Sequence, residues 1–401
     1  MYSHVPAASD HPMKLVACAL IVFAFLIPLQ GSGDVLVCHG NLTSSVHSVK
    51  TRELTIPAGI QNLEVQLPSA SNASLFAYSL KIESSNISYS KKPDAVTATS
   101  EGISATWVNP PTQLRYTMDT NLTIDVKADG LNSESQLPLK LPSSNESVAK
   151  YLAPSTFVQS NDQEIAKTAK AIVNNTTYES AAVTSIMLWV SDNLKYDLNA
   201  TPHDASWTFH NKRGTCENYA HLSLALLRSV GIPARYVSGY LVGGTINLNG
   251  DILTSSYQWS PGPHAWIEVY YPDLGWVPYE PQKTLGFVDD HHIREAVGKD
   301  SADISNKLTY TSAVSDMRHV VINDSSDAIV VQDTSDLHVI HTSSASNQQV
   351  LSQEMAHGGT VNDHINAFSG EGLLVRLAAP IIAAFATVAG LSLLFARRRR
   401  G

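Results

Sequence analysis

The sequence predicts an α+β domain preceded by an antiparallel β-sandwich. Three observations carry that expectation. Short β-type runs separated by Ser, Asn, Pro and Gly fill roughly the first hundred residues after Asp34. A helical period begins after Pro154, and β-type runs return between Ala234 and Glu280. Strands, then helices, then strands again is the order of a sandwich followed by an α+β unit.

The first segment, 1–33, reads as a secretory signal. Lys14 precedes the apolar run Leu15 to Leu29, and the small residues Gly31-Ser32-Gly33 follow, placing cleavage near Asp34. The twelve residues before Met13 lack Lys and Arg, so Met13 competes with Met1 as the start. Leu15-Val16-Ala17-Cys18 mimics a lipoprotein box, but no apolar core precedes it, which argues against lipidation.

Residues 34–150 form the expected sandwich. Its clearest strands are Leu54-Thr55-Ile56, Leu63 to Leu67, Ser104 to Val108 and Leu122 to Val126. No cluster of reactive side chains lies there, so it reads as a spacer or protein-binding module. Residues 151–290 form the second domain. Asn161 or Asp162 caps a helix carrying Ile165, Ala169 and Ile172, and a second helix aligns Val183, Ile186 and Val190 with Trp189 beside them. A third helix begins at Cys216, is apolar on several sides, and stops at Gly231 and Pro233.

The chemistry lies in this second domain. Cys216 opens its helix, where the partial positive charge of the first turn favours a thiolate. His264 to Tyr271 alternates as a strand, with Ala265, Ile267 and Val269 on the core face and His264, Trp266, Glu268 and Tyr270 on the other. Pro272-Asp273-Leu274-Gly275 turns the chain, and Trp276 to Glu280 runs back. Glu268 lies four residues from His264, about 13 Å at about 3.3 Å per residue, and Asp273 sits farther off at the turn. Glu280 is the acid the hairpin returns to His264. Cys216, His264 and Glu280 can thus act as nucleophile, base and orienting carboxylate.

The wording around these residues resembles the transglutaminase-like superfamily, whose core is cysteine-protease-like. The matching phrases are Arg213-Gly214-Thr215-Cys216, Leu226 to Tyr240, His264 to Val269, and Gly275 to Pro281. The resemblance covers roughly residues 163–281. It implies a papain/transglutaminase-like core of helices packed on an antiparallel sheet. It also implies the triad roles for Cys216, His264 and Glu280, although the family more often has Asp at the third place. The implied activity is acyl transfer from a peptide or isopeptide amide through a thioester, with the Cys216 N–H as an oxyanion donor. Trp207 is a weak candidate for a second donor. Hydrolysis and cross-linking both remain open, since the acceptor decides between a peptidase and a protein-glutamine acyltransferase. The competing reading is a non-enzymatic surface adhesion or scaffold protein that keeps the fold. Loss of a triad residue would favour it, and none is lost.

No cofactor and no metal are expected. His291 and His292 are adjacent, so on a strand they would point to opposite faces, and no third ligand is evident. Residues 291–342 read as a short β extension. Within it, Arg318 to Ile340 makes three short strands joined by Asp-rich turns, 323–327 and 333–336, whose composition suits hairpins as well as calcium. Residues 343–372 are Ser-, Asn- and Gln-rich and read as a flexible stalk.

Residues 373–396 read as a transmembrane helix. Its apolar run, Leu377 to Ala396, is about 20 residues, enough to span about 30 Å. The basic tail 397–401 would lie in the cytoplasm, leaving a single-pass protein with an extracellular ectodomain. Helix and arginines also fit a sorting signal that is cut off. The net charge of -9 argues against nucleic acid as a partner, and the basic residues cluster only at the extreme C-terminus. The expected partners are protein or peptide substrates at the cell envelope, and the membrane. Three cysteines cannot make a disulfide framework, and pairing Cys38 with Cys216 would consume the nucleophile. Nine sequons, at Asn41, Asn72, Asn86, Asn121, Asn145, Asn174, Asn175, Asn199 and Asn323, fit an exported glycoprotein.

Overall fold

The fold is described from a computed structural model. It describes residues 35–342, apart from 68–69, 100–101, 129–130, 132, 141–145, 175, 251–253, 283–287, 305–307 and 313–319. The proposed signal, stalk, membrane helix and basic tail lie outside the described residues. Among the described residues no helix is long and apolar enough to cross a membrane.

Seven strands come first: β1 (Val35–Thr55), β2 (Ile60–Leu67), β3 (Ala73–Leu75), β4 (Tyr78–Tyr89), β5 (Ala95–Thr99), β6 (Gly102–Val108) and β7 (Gln113–Lys127). A one-turn helix, α1 (Glu146–Ala149), leads to α2 (Gln163–Ile172) and α3 (Glu179–Asn193). Then follow β8 (Lys195–Tyr196), α4 (Ala205–Asn211), β9 (Arg213–Gly214) and α5 (Cys216–Ser229). The later strands are β10 (Ala234–Leu241), β11 (Gly244–Gly250), β12 (Thr254–Trp259), β13 (Gly262–Tyr271), β14 (Gly275–Tyr279), β15 (His292–Gly298), β16 (Leu308–Ser312) and β17 (Val321–Thr342).

Three sheets matter. The catalytic sheet has the order β14-β13-β10-β15 and is antiparallel throughout. A seven-stranded sheet has the order β12-β11-β17-β1-β7-β4-β3, and a four-stranded sheet has the order β16-β2-β6-β5. The last two face each other over Leu54, Leu63, Val65, Trp107, Leu114 and Tyr116. Helices α2, α3 and α5 and the β14-β13-β10-β15 sheet thus form an α+β domain, with a β-sandwich before it.

The long strand β7 explains how the two parts join. Its residues alternate buried and exposed along nearly its whole length. Leu114, Tyr116 and Met118 enter the sandwich core. Further along the same face, Leu122, Ile124 and Val126 pack against Val237, Trp266 and Ile293 of the catalytic sheet. The catalytic sheet is thus covered on both sides. Its other face, with Ala265, Ile267 and Val269, packs on the helices through Leu222, Leu226 and Ile186. The face of β13 left outside the expected core is therefore buried too: Trp266 is 1% exposed and Glu268 is 0%.

The segment 291–342, set apart in the sequence as an extension, is divided between the sheets. β15 is the fourth strand of the catalytic sheet, β16 joins the sandwich, and β17 pairs with β1 from Val35↔Thr342 to Thr55↔Val321. The three short strands expected over 318–340 are one continuous strand. Its Asp-rich stretches are not turns, because β1 offers backbone partners along its whole length, and the described side chains of 323–327 are exposed on the sheet. One of them, Asp324, pairs with Arg52 through two 2.5 Å contacts. The seven sequon asparagines at described positions (all but Asn145 and Asn175) are exposed.

Candidate active site

Cys216 is placed by the first turn of α5. Thr215 is its N-cap in extended conformation, and Asn218 Oδ1 accepts from the Thr215 N–H at 3.0 Å. Asn218 is buried, and its Nδ2 donates to Thr208 Oγ1 at 2.7 Å, which anchors the turn to α4. Every residue from Asn218 to Arg228 is buried, so the helix axis is fixed from all sides. Cys216 at its start remains half-buried, reachable from the surface. The helix ends at Gly231, whose φ of 85° and the Ile232 N–H bond to Leu227 O close the turn.

His264 lies on β13 opposite Gly239 of β10. Its Nε2 donates to Glu280 Oε2 at 2.6 Å, and it is also hydrogen-bonded to the Cys216 side chain. The structure thus brings all three sequence-predicted residues together, with the imidazole between thiol and carboxylate. Burial alone would lower the His264 pKa. The Glu280 charge and the bonds to Cys216 and Glu280 outweigh it and push the pKa up to about 10. Glu280 is buried, which would raise its pKa, yet His264 and His292 hold it below the ordinary carboxylate value. Its second oxygen, Oε1, accepts the Gln282 N–H at 2.7 Å.

The rival acids are occupied elsewhere. Glu268 is clamped by two arginines, with Arg235 Nε at 2.6 Å from Oε2 and Arg294 Nε at 2.6 Å from Oε1. Asp273 accepts from Ser133, Ser135 and the Glu134 N–H, pinning the 133–135 loop to the hairpin turn. Neither touches His264.

Two supporting residues are not visible in the sequence. His292 reaches Glu280 Oε2 at 3.3 Å with Nε2 and bonds Asp289 Oδ1 at 2.7 Å with Nδ1. Trp266 lies under both imidazoles, stacked on His264 at 6.0 Å and edge-on to His292 at 5.3 Å. Gly239 makes room for that indole: a Cβ there would fall 2.4 Å from Trp266 Cη2 and 2.1 Å from Ile293 O. Only the pairing of β10 with β13 and β15 puts these residues in one place, so spacing in the sequence could not mark them.

Trp207 is half-buried on α4, with the Arg213 guanidinium 5.7 Å from its ring centroid. Its backbone N–H donates to Asp204 Oδ1 at 2.8 Å. Tyr196 is the aromatic residue in the field of both Cys216 and Glu280; burial and those two charges raise its pKa. β8 pairs Tyr196 with Gly214, two residues before the cysteine. A cavity of about 480 Å³ is lined by Glu217, the residue after Cys216, with Tyr236, Ser238, Ser301 and Ile304. Glu217 is fixed there by His203 Nδ1 at 2.5 Å.

Residues 166–281 match the family model of the transglutaminase-like superfamily, a span that includes Cys216, His264 and Glu280. The protein YebA of Bacillus subtilis, itself uncharacterized, is 36% identical over 114 residues, covering 28% of this chain and 15% of YebA. The uncharacterized protein ML0607 of Mycobacterium leprae is 31% identical over 158 residues, covering 39% of this chain and 53% of ML0607. A protein-glutamine gamma-glutamyltransferase of Pseudomonas aeruginosa is 40% identical over 73 residues, covering 18% of this chain and 10% of that protein. The chain therefore spans about half the length of one of these relatives and far less of the other two. Among solved structures, a Cytophaga hutchinsonii protein with a provisional cysteine-protease name is 18% identical with a TM-score of 0.48. That match covers 77% of this chain and 94% of the other.

Proposed function

With residues 166–281 a domain of the transglutaminase-like superfamily, we propose that this protein is a cysteine-dependent acyl-transfer enzyme acting on peptide or isopeptide amides of proteins. The observation that carries the reading is His264, bonded at once to Cys216 and, at 2.6 Å, to Glu280. In this mechanism the Cys216 thiolate attacks the amide carbonyl, and a C–S bond forms as the carbonyl π electrons move to oxygen. The Cys216 N–H, in the first turn of α5, is placed to donate to that oxyanion. Collapse expels the amine, which takes a proton from the His264 imidazolium, and a thioester remains. Water or a primary amine then gives its proton to His264 and attacks, releasing acid or a new amide. Glu280 keeps the ring oriented and stabilises its charged form throughout.

The cavity beside Glu217 supports a polar acceptor approaching from the α5 side. We place the enzyme at a cell surface, with 373–396 as its anchor. The support is the sequence of the two ends and the exposure of the seven described sequon asparagines.

The test is to incubate the full chain with a glutamine-rich protein, with and without a fluorescent primary amine, and to follow both amine incorporation and new termini. Either product in the wild type, absent in Cys216→Ala of unchanged circular dichroism, supports the mechanism. Equal turnover by Cys216→Ala would remove Cys216 from the chemistry.

A further inference from the structure

Away from the triad, three buried side chains converge on one point. Asp289, Asp290 and His291 each bring one ligand-type atom to within 4.8 Å of the others. His291 Nδ1 stands 3.4 Å from Asp290 Oδ1 and 3.9 Å from Asp289 Oδ1. The His291 side chain is 1% exposed, and beyond the 3.4 Å contact between Nδ1 and Asp290 Oδ1 neither ring nitrogen nor that oxygen has a hydrogen-bond partner. Buried polar atoms left unmatched cost about 1–3 kcal/mol each, and a cluster of them marks the place of a water or an ion.

We propose that Asp289, Asp290 and His291 bind a divalent transition-metal ion of the zinc class. Ligand atoms about 2.0–2.2 Å from a tetrahedral ion lie about 3.3–3.6 Å apart, which the Asp290–His291 separation of 3.4 Å matches. The imidazole nitrogen argues against calcium or magnesium, which take oxygen ligands. Two carboxylates and a neutral imidazole balance a 2+ charge. An outer shell is also in place. Ser44 Oγ on β1 donates to Asp290 Oδ2 at 2.6 Å, leaving Oδ1 turned to His291. Gly244 leaves room for the ring, since a Cβ there would sit 2.2 Å from His291 Nε2.

On a continuous strand adjacent residues point apart, which is why the sequence predicts no metal at His291 and His292. His291 and His292 do point apart, but 290–291 is a turn and the strand starts at His292, so Asp289, Asp290 and His291 curl around one point. The ion would lie at the seam between sandwich and catalytic sheet. Its ligand Asp289 would also lie two hydrogen bonds from Glu280, through His292.

The test uses the full chain, dialysed against metal-free buffer, with metal content by plasma mass spectrometry and the thermal midpoint as readouts; neither depends on turnover. About one equivalent of zinc-class metal per chain is expected. Chelation should lower the midpoint, Zn²⁺ should restore it, and Co²⁺ should give visible ligand-field bands. Asp290→Asn, nearly isosteric, should lose the metal and its midpoint response, whereas Cys216→Ala should keep both. If Asp290→Asn does not fold, His291→Gln takes its place, and the wild-type chelation result stands alone. A midpoint indifferent to chelator and to added Zn²⁺ overturns the proposal. So does metal retained equally by a folded Asp290→Asn, or a response to Ca²⁺ alone.

Discussion

His292 Nε2 stands 3.3 Å from Glu280 Oε2, the same oxygen that His264 Nε2 holds at 2.6 Å. One carboxylate oxygen therefore faces two imidazoles, and its partner oxygen holds the Gln282 N–H. A glutamate's extra methylene lets the carboxylate reach His264 directly while its stem stays buried just past the end of β14. His292→Asn should lower kcat about tenfold with KM little changed, because orienting partners of a reactive group contribute on that scale. It should also raise the pH at which His264 titrates, because the charged forms of the two imidazoles repel each other. An unchanged His264 titration would reduce His292 to a packing role.

Glu280→Gln keeps the shape and removes the charge. Its amide is neutral and has one accepting atom, which cannot serve both the imidazoles and the Gln282 N–H, so we expect a rate loss of about a hundredfold or more. Glu280→Asp should lose much less. Equal tolerance of the two, in single-turnover assays of properly folded protein, would show that Glu280 does not orient His264.

The His264 shift sets a pH dependence of stability. Its folded pKa, about 10, lies above the free-imidazole value of about 6.5. The pair's contribution is therefore fully present below about pH 6.5 and is lost as pH rises through about 10. His292, also raised despite burial by its bonds to Asp289 and Glu280, adds a slope of the same sign. The thermal midpoint should fall between neutral pH and about pH 10, and Glu280→Gln should flatten that fall. An NMR titration of the His264 ring gives the direct reading.

Glu268 balances two arginines, Arg294 buried and Arg235 half-buried. Glu268→Gln would leave Arg235 and Arg294 facing a neutral amide, with an expected cost of about 3–5 kcal/mol in denaturant unfolding. A change under about 1 kcal/mol would place the arginine heads in water instead.

The strand β17 closes one flank of β1 and continues the sheet that covers Trp266 and Ile293. A chain ending before Val321 should lose cooperative unfolding in both the sandwich and the catalytic domain. Retention of a separate, unshifted transition for the catalytic domain would show that the two parts fold independently.

Local order made several elements readable without coordinates. The Asp162 cap, the helix stop at Gly231, the two-face alternation of β13 and the turn 272–275 depend on neighbours a few residues apart, whose period and turn chemistry are written in the chain. The same short hairpin fixed the choice of Glu280 over Glu268, since distance along a strand follows from residue count. What the chain could not state is which distant strands meet. β1 with β17, β10 with β15, and the burial of Trp266 under the N-terminal sheet pair segments tens to hundreds of residues apart. No local period encodes that. His292 behind Glu280, and Asp289, Asp290 and His291 around one point, exist only because those pairings close and expel water from the seam.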